Sequence, residues 1–385
     1  MRGSRSSRHA LPRLLILTAD FPPAHGGVQS LVYGLARSLR RFDVEVVTLD
    51  ALGARCFDRD EKLTTHRVGG PRIGSRPAPL VSAGRARMLA LNAAGLTRAS
   101  RSRPDVTLSA HLVTSPAATL IRRLLGTPIA QYFYGNEIAG KPRLAAFAAA
   151  RADLVIAISD YTASLLAATG APTTALEVIP PGVELPGDPS PLPAQRPTVV
   201  TIAQLKHRYK GHDVLIRALP AVRARVPDVE WVVIGEGPLR SELERLASAS
   251  GLDGVARFLG AVSDEERDAW LRRAAVLALP SRLPAGELAG EGFGIVYLEA
   301  NSFAKPVVAG DVGGAREAVA DGVSGLLVDP TDPAAVTDAV TRLLLDRDLA
   351  RRLGAGGARR ARAFAWPAIG ARVERRLLAL AGRSS

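Results

Sequence analysis

The 385-residue chain has one cysteine, Cys56. A single thiol excludes an intramolecular disulfide and any cysteine-based metal cluster, and it fits a reducing cytoplasm. Aromatic residues are scarce at 5%. No nucleic-acid recognition motif accompanies the basic balance, so nucleic acid is not an expected partner. No window holds about 18 uninterrupted apolar residues, the length a spanning helix needs. Residues 1–13 are basic, but the apolar stretch 14–17 behind them ends at Thr18 and Asp20, which is too short for a secretory leader. Lysine is rare as well, with 5 lysines against 45 arginines.

What is present is a large apolar fraction, 47%, enough to bury cores of ordinary size. The length suggests two domains. The formal net charge is +13, but it is not spread evenly. Residues 1–103 hold 18 basic and 7 acidic residues, whereas residues 104–385 hold 32 and 30.

Short β-branched runs alternate with amphipathic segments of helix length. Expected strands lie at 14–18, 44–48, 106–109, 129–133 and 154–158 in the first half. In the second half they lie at 199–203, 231–234, 257–259, 276–279, 307–309 and 326–328. Continuous apolar strands separated by helices read as parallel sheets covered on both faces, an α/β architecture. Between the halves, residues 180–197 carry seven prolines, the composition of a linker. The expected division is a disordered 1–12, a first domain 13–180, the linker 181–197, a second domain 198–365 and a terminal helix 366–385. Helices are expected at 333–345, 349–364 and 367–380, with Trp366-Pro367 breaking the run.

Three constellations carry chemistry. The first is EGFGIVYLE, with Glu291 and Glu299 flanking seven residues. A glycine-rich entry into a helix leaves N–H groups open at its positive end, a site suited to a diphosphate. If the run is helical, eight residues span about 12 Å and both carboxylates address one side. The second is the loop Gln204 to His212, whose Lys210-Gly211 suits phosphate pairing. The third is Gly26-Gly27 behind the first strand, where the backbone can approach a ligand at a carboxyl strand end. Gly235-Glu236-Gly237 lacks the full dinucleotide fingerprint, so a nicotinamide cofactor is not expected. The Asp-Arg-Asp triplets at 58–60 and 346–348 read as surface loops, so no metal is expected. Ser159 reads as a helix cap.

Taken in order, GGVQ (26–29), YGNE (134–137), AISDYT (157–162), IPPGVE (179–184), VIGEGPLR (233–240), RFLGAVSDEE (257–266), EGFGIVYLEA (291–300), KPVVAGDVGGAREAV (305–319) and GLLVDP (325–330) resemble the GT-B retaining glycosyltransferases of family 4. More narrowly, the chain resembles bacterial phosphatidylinositol mannosyltransferases and their relatives. The resemblance covers roughly residues 13–380. It implies two Rossmann-like domains facing across a cleft, with the last helix crossing back to the first domain. It implies a metal-independent hexosyl transfer with no cofactor, from a nucleoside diphosphate sugar to an acceptor hydroxyl. GDP-mannose leads as donor and a UDP-sugar is the alternative. The acceptor is a lipid, a glycan or a small molecule. A nucleotide-sugar epimerase is a competing reading within the same fold.

By the same resemblance, Glu299 binds the ribose hydroxyls, Glu291 a donor sugar hydroxyl and Lys210 the diphosphate. Backbone amides near Gly26-Gly27 and Phe293-Gly294 assist, and the main chain around Val262 contacts the base. The family commonly has arginine where Gln204 stands, with Lys206 or Arg208 as substitutes here, and often histidine where Tyr134 stands. His111 either faces the cleft near the donor sugar or is a surface histidine at a strand end. Glu137 either contacts acceptor or supports its loop. The basic first quarter suggests docking on an anionic membrane, against the alternative of a solvated arginine-rich face. The expected location is the cytoplasm, peripheral on the inner face of the plasma membrane.

Overall fold

A computed structural model describes residues 11–69, 72–73, 76–77, 80–283 and 290–382. The expected disorder of 1–12 therefore falls almost wholly outside the described residues, as does part of the loop before Glu291. Two parallel sheets form the frame. The first has seven strands in the order Thr64–Val68, Asp43–Leu49, Arg13–Leu17, Val106–Ser109, Ile129–Phe133, Leu154–Ala157, Leu176–Val178. The second has six, in the order Ala256–Gly260, Glu230–Ile234, Thr198–Ile202, Val276–Leu279, Val307–Gly310, Gly325–Val328.

The inner strands are buried on both faces because helices cover both sides. Val106–Ser109, Ile129–Phe133, Val276–Leu279 and Val307–Gly310 are buried at every position. Two strands of these sheets escape the sequence pattern, Thr64–Val68 and Leu176–Val178, as does a small antiparallel pair, Arg72–Ile73 with Arg76–Pro77. The first two are sheet edges, mostly half-buried, and their composition (TTHRV, LEV) is correspondingly mixed.

In each sheet the first strand lies between the second strand and one reached by a longer crossover. The order reverses there, which opens a crevice at the carboxyl ends. One crevice lies between Arg13–Leu17 and Val106–Ser109, the other between Thr198–Ile202 and Val276–Leu279. The loops beyond these ends meet each other. A single apolar cluster runs through the meeting, joining Tyr134 and Ile158 of the first half to Phe293 and Tyr297 of the second.

The chain ends in three helices, Pro333–Leu345, Arg347–Ala363 and Trp366–Leu380. Pro367 sits in the first turn of the last helix, where a missing N–H costs nothing. Val183 makes two main-chain bonds across this joint: it donates to the Phe364 carbonyl at 2.8 Å and accepts from the Trp366 N–H at 3.2 Å. The Trp366–Leu380 helix then packs on Gly27–Ser38 of the first half. The Trp366 ring fills a slot between Gly34 and Gly182, where an added Cβ would lie 2.2 and 2.4 Å from the indole. Arg372 donates to the Val178 carbonyl at 2.7 Å, and Glu374 accepts from the Arg41 N–H at 2.6 Å. No helix among the described residues is long and apolar enough to cross a membrane.

Candidate active site

After Thr198–Ile202 the chain reaches a single turn, Arg208–Lys210, and leaves it through Gly211 at φ 77°. An added Cβ at Gly211 would lie 2.1 Å from the Pro280 carbonyl oxygen, so only glycine lets this loop approach the neighbouring strand's exit. That approach brings Lys210 to Glu291. Lys210 Nζ donates to Glu291 Oε2 at 2.7 Å, and Ser281 Oγ donates to the same oxygen at 3.2 Å. The Lys210 and Glu291 side chains keep 17% and 12% exposure. Burial opposes the ammonium charge, but the Glu291 carboxylate and Tyr209 together outweigh it and hold Lys210 above its ordinary range. The lysine therefore stays cationic, with two further N–H donors for an anion.

The EGFG run is not helical, which corrects the two-turn spacing expected for its carboxylates. The helix begins only at Ile295, behind Gly294 at φ 94°. Gly292 approaches the first half so closely that a Cβ would lie 2.0 Å from the Tyr134 carbonyl oxygen. These glycines hold an open loop, and the loop places Glu291. Glu299 sits on the second turn of Ile295–Ser302. Its carboxylate makes no hydrogen bond among the described residues. Burial raises its pKa, Arg267 opposes the rise, and Asp268 and Asp264 add to it. Phe293 is core, 2% exposed with its ring centroid 5.7 Å from that of Phe364, so only its main chain faces the loop. Val262, beyond the Ala256–Gly260 strand, packs against the buried cluster of Val200, Val232, Ile234 and Ala274.

The first-half crevice is built differently. Gly26 and Gly27 open the Gly27–Ser38 helix. A Cβ at Gly26 would lie 2.3 Å from Gln29 Oε1, while Gly27 faces open space. His111 Nε2 lies 3.2 Å from Asp20 Oδ2, and its Nδ1 accepts from the Val113 N–H at 3.2 Å. These bonds assign the ring proton to Nε2. Gln29 Nε2 donates to the other Asp20 oxygen at 2.9 Å. His111 is thus a tethered crevice side chain and not a lone surface histidine. Glu137 supports its own loop, accepting from the Tyr134 N–H at 2.5 Å, and burial raises its pKa. The Tyr134 hydroxyl donates to the Ala110 carbonyl at 2.6 Å.

Gln204 crosses the cleft, its Nε2 donating to the His25 carbonyl at 3.0 Å. Asn136 Nδ2 crosses too, donating to the Tyr209 hydroxyl beside Lys210 at 3.1 Å. Arg208 pairs with Glu242 at 2.6 Å on an exposed surface. Ser159 caps its helix, accepting from the Thr162 N–H at 2.9 Å, and it also donates to the Gly292 carbonyl at 2.6 Å.

The two Asp-Arg-Asp triplets are not loops. Residues 58–60 end the Ala54–Asp60 helix, with Asp58 bonded to Arg67 at 2.7 Å. Asp346 caps the Arg347–Ala363 helix through the Leu349 N–H at 2.9 Å. Among the described residues, no group of three or more His, Cys, Asp or Glu side chains is gathered for a metal.

The structure therefore brings Lys210, Glu291, Gly294, Gln204 and Gly26 to one cleft. It adds Asp20, Ser281 and Arg267, and it gives Gln29 of the GGVQ run a partner in Asp20. Asp20 carried the strongest hint, as a carboxylate three residues beyond the buried strand Arg13–Leu17.

Comparison with known proteins agrees with this geometry. The family described as Glycosyltransferase Family 4 matches residues 25–185, and that described as Glycosyl transferases group 1 matches 188–360. The chain is 35% identical over 362 residues to a GDP-mannose-dependent alpha-(1-6)-phosphatidylinositol monomannoside mannosyltransferase of Mycolicibacterium smegmatis, covering 89% of this chain and 92% of that one. It is 37% identical over 240 residues to a D-inositol 3-phosphate glycosyltransferase of Nocardioides, covering 56% and 51%. Among solved structures, Anabaena Alr3699/HepE in complex with UDP and glucose superposes with a TM-score of 0.79 at 21% identity, covering 96% and 100%. With two crevices facing across one cleft and both halves matched, the chain belongs to the GT-B glycosyltransferases of family 4 and is a hexosyltransferase.

Proposed function

We propose that the chain transfers a mannosyl group, with retention, from GDP-mannose to a hydroxyl of an inositol-containing membrane lipid. The observation that carries this reading is the Lys210–Glu291 pair, 2.7 Å apart, in the second-half crevice. Lys210 has donors left for a diphosphate, and Glu291 is fixed where a sugar hydroxyl can share it. The GDP-mannose-dependent relative, matched over 92% of its length, supports the choice of donor.

Mechanistically, the bond from the anomeric carbon to the diphosphate breaks while the acceptor oxygen attacks from the same face. The acceptor's proton passes to the leaving phosphate oxygen, so no side-chain base is needed. Lys210 and the N–H groups of the Phe293-Gly294 and Gly26-Gly27 segments stabilise the growing phosphate charge, without a metal. Glu299 accepts from the ribose hydroxyls, and the main chain at Val262 lies against the base. His111, held by Asp20, faces the donor sugar.

The first half docks on an anionic inner leaflet. Its basic excess supports this, together with Leu52, Leu89 and Leu124, which are 100%, 72% and 61% exposed. Each basic residue near such a surface contributes about 1 kcal/mol.

A thermal-shift panel of GDP-, UDP-, ADP- and dTDP-sugars tests the donor, because binding to the folded state raises its melting temperature. GDP-mannose should give the largest shift. A larger shift with a UDP-sugar would replace the donor, and release or epimerisation of sugar without acceptor would replace the reaction.

A further inference from the structure

The two halves meet along a seam beside Glu291. The Asp160–Ala167 helix belongs to the first half. Its first two N–H groups, of Asp160 and Tyr161, donate to the carboxylate of Glu317 at 2.8 and 2.9 Å. Glu317 comes from the second half, in the short turn Ala315–Ala318 beyond the Val307–Gly310 strand. One residue before the helix, Ser159 holds the Gly292 carbonyl at 2.6 Å, in the loop that carries Glu291. The turn is braced from behind by Arg360, which donates to the Ala318 carbonyl at 2.9 Å and also to that of Glu317.

Glycine makes the seam close. A Cβ at Gly314 would lie 2.1 Å from the Gly292 oxygen, and one at Gly313, φ 53°, would lie 2.9 Å from the Glu291 oxygen. A carboxylate suits this position, since the first turn of a helix presents unpaired donors and positive potential. An ordinary cap comes from the helix's own chain neighbours. Here Ser159 supplies that cap, and Glu317 adds a second one from the other half.

We propose that Glu317 is a positioning residue for the transfer reaction. It holds the cleft shut by capping the first-half helix, and Ser159 then seats the Gly292 carbonyl and fixes Glu291 beside Lys210. It acts through Ser159 and Gly292 without touching the donor. The inference deepens the transfer mechanism above and rests on the donor seating at Glu291.

The test uses the full chain with Glu317→Ala and Glu317→Gln. Small-angle scattering of the free protein should show a larger radius of gyration for the alanine variant and an intermediate one for glutamine, which keeps one accepting oxygen. With donor and acceptor, kcat of the alanine variant should fall about tenfold, while KM for donor stays within about twofold, because the Lys210 contact persists. Ser159→Ala, made on the opposite side of the seam, should repeat the kcat loss, and it carries the test if the Glu317 variants fail to fold. Unchanged scattering with unchanged kcat would overturn the proposal. So would a donor KM that rises in step with the kcat loss at wild-type scattering, since Glu317 would then be acting on the donor. The scattering arm needs no nucleotide sugar, so a wrong donor assignment leaves it intact.

Discussion

In the second half, a lysine and a glutamate bond across the crevice at 2.7 Å. In the first, the equivalent crevice holds a histidine against an aspartate at 3.2 Å, under a pair of glycines. The strand order around the two crevices is the same. The nearly balanced half holds the cation suited to a diphosphate, while the half whose first 103 residues carry 18 basic and 7 acidic side chains has its arginines elsewhere. Arg67 and Arg98, for example, are bonded to Asp58 and Glu45. Bulk charge is thus no guide to which crevice holds the cation suited to an anion; loop geometry decides that. The fold supplies both crevices, and the chemistry of each depends on two or three side chains.

The contrast breaks most readily at the second crevice. Lys210→Ala and Glu291→Gln should each lower turnover on the order of 10²–10³-fold, the scale of losing one preorganised charge partner. Either variant keeping full turnover with every accepted nucleotide sugar would remove the site from this crevice. Next in size is the joint between the halves. Trp366→Ala should cost about 3–5 kcal/mol in a denaturant titration, as other buried aromatic truncations do. A loss under about 1 kcal/mol would mean the slot between Gly34 and Gly182 is no anchor.

Smaller effects sharpen the comparison. Gln204→Arg adds a second cation to the donor side and should tighten GDP binding roughly tenfold at low salt, the difference between a neutral and a charge-assisted bond. Calorimetry showing weaker binding would give the His25 bridge priority over charge. Donor affinity should also fall with pH in a distinctive way. Burial raises the Glu299 pKa, so its accepting carboxylate is lost as pH falls, starting above the pH at which an ordinary glutamate protonates. Glu299→Gln should flatten that limb, and an unchanged profile would take Glu299 off the ribose. Smallest is the surface effect. Leu52→Ser with Leu89→Ser should reduce sedimentation with anionic vesicles several-fold at physiological salt, on the order of 1 kcal/mol. Equal recovery of the unaltered chain with neutral and anionic vesicles would end the docking reading.

Much of the frame was legible because parallel strands covered on both faces must be apolar throughout. In the two parallel sheets the edges Thr64–Val68 and Leu176–Val178 hid, since half-exposed strands need no such run. Lys210 and Glu291 were legible one by one, each in a glycine-marked loop. Their bond spans 81 residues and rests on Gly211 passing the Pro280 carbonyl, which no local pattern encodes. The EGFG segment misled in a specific way. Its spacing suits a helix, but Gly292 and Gly294 are there to keep the loop open against Tyr134 and Tyr297. Asp20, Ser281 and Glu317 are single polar residues whose meaning lies wholly in what the fold sets beside them.

The indole of Trp366 has a consequence for the order of events in making this protein. Its slot is walled by Gly34 and Gly182, residues translated early and midway, and stays empty while the second sheet is synthesised. The first sheet therefore emerges with an apolar notch that nothing local can plug. The notch can fill only once the Trp366–Leu380 helix has been made, so a late segment fastens an early one.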